Sequence, residues 1–184
     1  MESPQYGRRV SSADVKTVAT GSGMLALWRA SAFADVDGYE AWETHVNERL
    51  HEAIAQGELV PVGIQADGAF AVRAAVAPEA ATERESRYTV TTSEPYLFVA
   101  DSGPVAISGI EAVGDISRSP IVLEVQAGRY AVRAALIAWD DEPGARGPDG
   151  LPGPTALPDF LVLLTPAAGE ERFRSDEETF NQPA

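Results

Sequence analysis

The feature that most constrains the fold is a series of short apolar segments, each closed by turn residues. From Leu59 onward, large apolar side chains recur with a period of two, which is typical of strands with one buried face. Gly, Pro, Asp and Ser interrupt this pattern at short intervals. About ten short strands with frequent turns predict a mainly β fold, namely an antiparallel β-sandwich or a jelly-roll-like arrangement.

Three pairs of these segments are predicted to form β-hairpins, because only a short turn separates the two members of each pair. The pairs are 15–20 with 24–30, 59–64 with 70–76, and 121–125 with 128–139.

One segment follows a helical period instead. Asp37 and Glu40 have the spacing of a capping box, and Gly57 stands where a helix-ending glycine belongs. The pattern predicts one long amphipathic α-helix near residues 38–56. The apolar face of this helix would consist of Tyr39, Trp42, Val46, Leu50, Ala53 and Ile54.

The sequence contains one internal echo. Residues 68–76 and 128–136 are identical at six of nine positions. A duplicated hairpin, with one copy in each sheet, would explain the likeness; chance convergence of two Ala-rich strands is the alternative. Strand alternation places Arg73 and Arg133 toward solvent or a sheet edge.

Domain boundaries follow from composition. We predict a flexible arm over 1–13, a single β-sandwich domain with its helix over 14–168, and a charged tail over 169–184. A Gly/Pro-rich stretch at about 142–158 is predicted to be an extended, mobile loop without a packed core, and it is a candidate contact surface.

Location follows from what the sequence lacks. No apolar signal region is visible over 1–18, no stretch reaches the roughly 18 apolar residues of a membrane span, and there is no cysteine. We therefore expect a cytoplasmic protein without a membrane partner.

The acidic balance narrows the class of partner. Against 14 Lys and Arg stand 28 Asp and Glu, a net charge of −14. A phosphate backbone needs a basic face, so we expect no direct nucleic-acid partner and instead expect a basic protein as the partner.

The acidic charge is concentrated. Residues 35–58 carry seven acids and one Arg, and residues 140–159 carry five acids and one Arg. The predicted partner-binding residues are Glu40, Glu43, Glu48, Glu52, Asp140, Asp141, Glu142 and Asp149.

The chain offers little for catalysis. The only histidines, His45 and His51, are six positions apart and would project from different sides of a helix. Ser22 and Ser102 stand in turn sequences without the pattern of a nucleophile elbow. The carboxylates of Asp140, Asp141 and Glu142, at the start of the loop, could hold a hard cation, but we favour the interpretation that they are solvated loop charges. We therefore predict no catalytic residue, no cofactor and no metal site.

The order of segments in the second half resembles a known family. A Val-Thr strand is followed by Leu97-Phe98-Val99, then by Gly128-Arg129-Tyr130-Ala131-Val132-Arg133, and after an acidic loop by Asp159-Phe160-Leu161-Val162. This series resembles the competence protein J nuclease-inhibitor family and related small bacterial proteins. The resemblance implies a β-rich fold and a role in binding and blocking a nuclease.

Three functions therefore remain open. The first is a non-enzymatic acidic binding protein that inhibits, or gives immunity to, a basic nuclease or toxin. The second is a sandwich module for a small ligand or carbohydrate, with Trp28 and Trp139 as candidate platforms. The third is a hydrolase that uses the loop carboxylates near Asp140.

Overall fold

The computed structural model describes residues 14–180, and this range contains ten strands arranged in two sheets. The prediction of a mainly β, sandwich-like fold is confirmed. The strands are β1 (Val15–Thr20), β2 (Met24–Arg29), β3 (Leu59–Gly63), β4 (Gly68–Val76), β5 (Thr89–Thr92), β6 (Tyr96–Ala100), β7 (Pro104–Gly109), β8 (Ile121–Glu124), β9 (Gly128–Ile137) and β10 (Phe160–Pro166).

The helices are short. Three are α-helices: α1 (Gly38–Trp42), α2 (Leu50–Gln56) and α3 (Glu83–Arg87). A π-helical turn, Glu43–Asn47, lies between α1 and α2. Single turns of 3₁₀-helix occur at Ala30–Phe33, Ile110–Ala112, Ile116–Arg118 and Trp139–Asp141.

The six-stranded sheet has the order β1-β4-β10-β9-β5, and β6 also pairs with β9. The four-stranded sheet has the order β3-β2-β7-β8. The pairing of β10 with β4 is parallel, and the other strand pairs in the described range are antiparallel. Since β5 and β6 pair with opposite ends of β9, they form one interrupted edge of the larger sheet.

The chain changes sheet at the three turns that the sequence predicts as hairpins. β1 and β2, β3 and β4, and β8 and β9 each fall in different sheets. The pairing within sheets instead joins β2 to β3 and β7 to β8 across longer connections. Gly and Asp mark where the chain reverses, but they do not specify whether the next strand pairs with the last one or crosses the core.

Both sheets contribute their inner faces to one core. Its largest fully buried side chains include Trp28, Tyr96, Phe98 and Phe160. The indole of Trp28 is satisfied inside this core, because Nε1 donates a hydrogen bond of 3.0 Å to the buried Ser108 hydroxyl.

The outer face of the six-stranded sheet is also covered. Ala135 and Ile137 on β9 and Leu161 on β10 form a second apolar cluster with Leu157 from the Gly/Pro-rich loop. The prediction of an extended loop without a packed core is therefore wrong at this position. A continuous apolar run is typical of a strand that is covered on both sides. β10 has such a run, Phe160-Leu161-Val162-Leu163-Leu164.

The two echoing segments are neighbours in one sheet, not members of two. β4 and β9 flank β10, and Val162 pairs with both Ala74 and Ala134. The proposed placement of one copy in each sheet is wrong.

Arg73 contradicts the expected exposure of the echoing arginines. It is 6 % exposed and points to the outer face of the sheet, where α3 covers it. Its guanidinium donates to both carboxylate oxygens of Glu85, at 2.6 and 2.7 Å. Arg133 is exposed as predicted, and it donates to the Ser93 carbonyl.

Glu85 also closes a true capping box. Its backbone N–H donates to the Thr82 hydroxyl while its carboxylate accepts from the Thr82 N–H. Burial alone raises the pKa of the Glu85 carboxyl, but the hydrogen bonds from Arg73 and Thr82 outweigh it, and the pKa lies below the usual 4.5. The spacing Thr82-x-x-Glu85 is the sequence signal of this capping box, although no helix was predicted at this position.

The single long helix predicted near 38–56 is interrupted. The π-helical turn and two non-helical residues separate α1 from α2. Asp37 forms no side-chain cap, so the predicted capping box at Asp37 and Glu40 is absent. Gly57 ends α2 in the left-handed region at φ 73°, as predicted.

A π turn holds more residues than an α turn, so it rotates the residues before it relative to those after it. Trp42, Val46, Leu50 and Ile54 still face the body of the protein, whereas Tyr39 is turned outward and is 77 % exposed. The placement of Tyr39 on the buried face is therefore wrong.

The segment after β10 lies against the sandwich. Its backbone forms a bridge from Arg174 to Tyr96 on β6 and another from Thr179 to Gly63 on β3. Phe180 is 2 % exposed, and its ring lies edge-on to Phe160 with centroids 5.8 Å apart. Residues 169–180, assigned to a charged tail from the sequence, thus contribute a side chain to the core.

We predict that Glu85→Gln lowers the free energy of unfolding by about 3 kcal/mol at neutral pH, because it replaces the carboxylate that accepts two hydrogen bonds from the buried Arg73 guanidinium with a neutral amide. Glutamine keeps the size of the side chain and is accepted in a capping box. Urea unfolding measures the change. The matched control is Glu83→Gln, whose carboxylate is 92 % exposed and pairs with Arg87.

The same pair gives a pH dependence. Because the pKa of Glu85 is lowered on folding, its contribution is complete above its ordinary value and is lost as pH falls through the lowered pKa. The difference between wild type and Glu85→Gln should shrink below about pH 4. A difference that does not change between pH 7 and pH 3 would contradict this account.

Phe180→Ala should lower the free energy of unfolding by about 3 kcal/mol, because it leaves a cavity beside Phe160 in the core. Glu177→Ala, at an exposed position of the same segment, is the control. Equal stability of the two variants in urea would show that the C-terminal segment does not stabilise the sandwich.

Candidate interaction surface

The acidic helical segment, residues 35–58, closes one side of the sandwich. α2 packs on both β3 and β6, which are edge strands of different sheets. Gly57 lies so close to β6 that a Cβ atom there would meet Leu97 and Val99 at 2.9 and 3.0 Å. The N-terminal half is fixed by Trp42, whose Nε1 donates to the Ile110 carbonyl at 2.9 Å.

Because the apolar side of this segment is buried, its carboxylates lie on the outer side. Glu40, Glu48 and Glu52 are exposed, and Glu43 is partly exposed. Four of the eight predicted partner-binding residues thus lie on the outer side of the interrupted helical segment formed by α1, the π-helical turn and α2.

Most of this negative charge has no cation beside it. Within residues 14–180, neither Glu40 nor Glu48 forms an ion pair. Glu43 accepts a hydrogen bond from the neutral Asn47 side chain. Of these four carboxylates, Glu52 alone forms an ion pair within the described range, with Arg49 at 2.9 Å, and this hydrogen bond lowers the pKa of its carboxyl. Glu58, at the end of the segment, pairs with Arg29 at 3.3 Å.

The loop carboxylates behave differently, because arginines of the same face engage two of them. Glu142 accepts two hydrogen bonds from Arg84, and this contact lowers the pKa of Glu142. Asp140 pairs with Arg146 at 2.7 Å. Asp149 accepts from the Leu151 N–H inside its own turn, and Asp141 is exposed.

The two groups of predicted residues therefore lie on different parts of the protein. The loop group lies with α3 over the outer face of the six-stranded sheet, whereas the helical group lies on the segment whose last part, α2, packs on β3 and β6. The outward carboxylates of the helical group are available to a partner, and those of the loop group largely hold the loop in place.

The C-terminal segment adjoins the same side of the sandwich as the helical segment, which the sequence pattern did not predict. Both contact β3 and β6. Arg174 pairs with Asp176 and Glu178, while Glu177 is exposed. Phe180, one of two phenylalanines in an otherwise charged stretch, was the available sequence signal that this segment packs on the sandwich.

Sites of other chemistry find little support among the described residues. Residues 14–180 contain no group of three or more His, Asp or Glu side chains placed to hold a metal ion. His45 and His51 lie on the helical segment, away from the loop carboxylates near Asp140.

The two tryptophans proposed as ligand platforms are not open. Trp28 is 1 % exposed. Trp139 is partly buried, and the Arg146 guanidinium lies 5.5 Å from its ring centroid. The two proposed platforms are therefore occupied by contacts within the chain.

Within the described range, no helix has the length and apolar character required to cross a membrane.

No protein-family model matches the sequence, and no curated protein matches it. Two solved structures share its fold. The protein titled crocagin biosynthetic gene J is 20 % identical, with a TM-score of 0.54 over 83 % of this chain and 94 % of that one. ComJ from Bacillus subtilis, an inhibitor of the DNA degrading activity of NucA, is 6 % identical.

ComJ has a TM-score of 0.52 over 84 % of this chain and 96 % of its own. The match therefore extends well beyond the second half, where the sequence resemblance was found. The predicted resemblance to competence protein J is confirmed for the fold: the chain has a ComJ-like fold.

Proposed function

We propose that this protein is a non-enzymatic acidic binding protein that inhibits a basic nuclease or toxin in the cytoplasm, in the manner of an inhibitor or immunity protein. In this proposal the acidic helical segment covers the positively charged face of the partner. A role in binding a protein of the nuclease kind is consistent with the fold shared with ComJ.

The observation that carries the proposal is the difference between the two acidic regions. The helical segment has seven acids and one arginine, and its exposed Glu40 and Glu48 have no ion-pair partner within residues 14–180. The loop carboxylates Glu142 and Asp140 are already engaged by arginines. Carboxylates that stabilise no local structure are the ones available to an external cation.

Electrostatics favours a nuclease as the basic partner. A nuclease must attract phosphate, so the face around its active site is positive. Opposite potentials steer the two proteins together and orient the encounter, and a row of carboxylates can replace the phosphates of the substrate. Such a complex forms more slowly and binds less tightly as salt screens the charges.

The direct test separates the native cell lysate by cation exchange and measures how fast each fraction degrades DNA, with and without the purified protein. We expect one basic fraction to lose nuclease activity when the purified protein is added at low salt, and to recover part of that activity at high salt. If no fraction is inhibited at either salt concentration, the proposal is wrong.

Two double variants with the same change in net charge locate the contact. Glu43→Lys/Glu48→Lys should weaken inhibition about tenfold at low salt, because it places two cations on the contact face. The control, Glu79→Lys/Glu83→Lys, changes two exposed carboxylates that lie outside residues 35–58, and it should have little effect on inhibition. Equal losses in the two variants would mean that net charge, not the helical segment, determines binding.

A further inference from the structure

Tyr39 is a large aromatic side chain placed in water. It is 77 % exposed, and the other exposed large hydrophobic residues among positions 14–180 are the aliphatic Val15, Val90 and Leu151. A scattered exposed aliphatic residue needs no explanation, but an exposed aromatic ring on a charged helical face is characteristic of an interaction surface.

The Tyr39 ring lies beside one other aromatic ring. It stacks on Trp42 with an interplanar angle of 24° and centroids 6.1 Å apart. Trp42 is itself fixed by its hydrogen bond to the Ile110 carbonyl. One side of the Tyr39 ring thus faces Trp42, and the exposure of the side chain leaves the other face of the ring to solvent.

The surroundings of the ring are negative. Glu40 is the next residue, and Glu43 lies one turn along. No lysine or arginine occurs between residues 30 and 48. Carboxylates beside an open aromatic face favour a group that is both cationic and flat.

The local backbone maintains this exposure. A regular helix over 38–56 would turn Tyr39 toward the body, and the π-helical turn at Glu43–Asn47 prevents it. Such turns are uncommon in helices and often lie at functional sites.

We infer that Tyr39 is the anchor of the contact and binds an arginine side chain of the basic protein. This inference rests on the proposed function, which supplies the basic partner. The guanidinium lies flat on the open face of the ring, and the carboxylates of Glu40 and Glu43 accept its N–H groups. Arginine fits this site better than lysine, because its planar and weakly hydrated head stacks on aromatic rings and donates in a fork.

The test uses synthetic hexa-arginine and hexa-lysine peptides as probes of the whole protein in calorimetric titrations at low salt. The variants are Tyr39→Ala, Tyr39→Phe, which retains the ring, and Leu151→Ala, which removes a similarly exposed apolar side chain. Because Tyr39 is exposed, we expect all three to remain folded by circular dichroism.

We expect wild type to bind hexa-arginine more tightly than hexa-lysine. The ratio of the two affinities should fall by about two- to fivefold in Tyr39→Ala and stay unchanged in Tyr39→Phe and Leu151→Ala. An unchanged ratio in Tyr39→Ala would overturn the inference. So would saturable binding of a neutral oligosaccharide that Tyr39→Ala abolishes, because the ring would then be a carbohydrate platform.

The two proposals fail in different ways. If no nuclease is inhibited but Tyr39→Ala loses the preference for arginine, the arginine site stands and the nuclease proposal falls. If Glu43→Lys/Glu48→Lys abolishes inhibition while Tyr39→Ala inhibits as well as wild type and retains the arginine preference, the anchor is wrong and the nuclease proposal stands.

Discussion

Closure of the sandwich between the edges of β3 and β6 is the constraint on which the candidate surface depends. Two sheets that pack face to face leave their edge strands open, and unpaired edges invite association with other chains. Here α2 covers both edges at once, and the C-terminal segment forms bridges to the same two strands. The acidic helical segment is therefore part of the body of the fold, and its charges are presented by a rigid support.

The same constraint explains the local backbone. Gly57 must approach β6 so closely that no side chain fits, and its φ of 73° turns the chain from α2 into β3. At the other end Trp42 reaches Ile110, beyond β7. A regular helix with Trp42 and α2 both anchored would also bury Tyr39, and the π-helical turn accommodates both anchors while leaving Tyr39 outside.

Much of the fold was predictable from the sequence because strand periodicity and turn residues are local signals. The fold class and the helix end at Gly57 are confirmed in this way. The pairing of strands was not predictable from the turns. A turn sequence such as Asp67-Gly68 is compatible both with a strand that returns to its own sheet and with one that crosses to the other sheet. Arg73 was misplaced because its partner Glu85 lies on a helix of five residues, too short for a periodic signal.

The candidate surface was predictable only in part, for a related reason. Composition identifies where acids are concentrated, but it does not show which carboxylates are used within the protein. Glu142 and Glu48 look alike in the sequence, and only the fold brings Arg84 to the first and leaves the second without an arginine within the described range. The net charge of −14 therefore divides into charge that stabilises the protein and charge available to a partner.

Hydrogen–deuterium exchange of the purified complex with the inhibited nuclease tests the central claim most directly. The account predicts that amides over residues 37–49 become protected on binding, while those of the Gly/Pro-rich loop at 142–158 exchange as they do in the free protein. Protection of the loop with unchanged exchange over 37–49 would contradict the account, because the contact would then lie on the outer face of the six-stranded sheet.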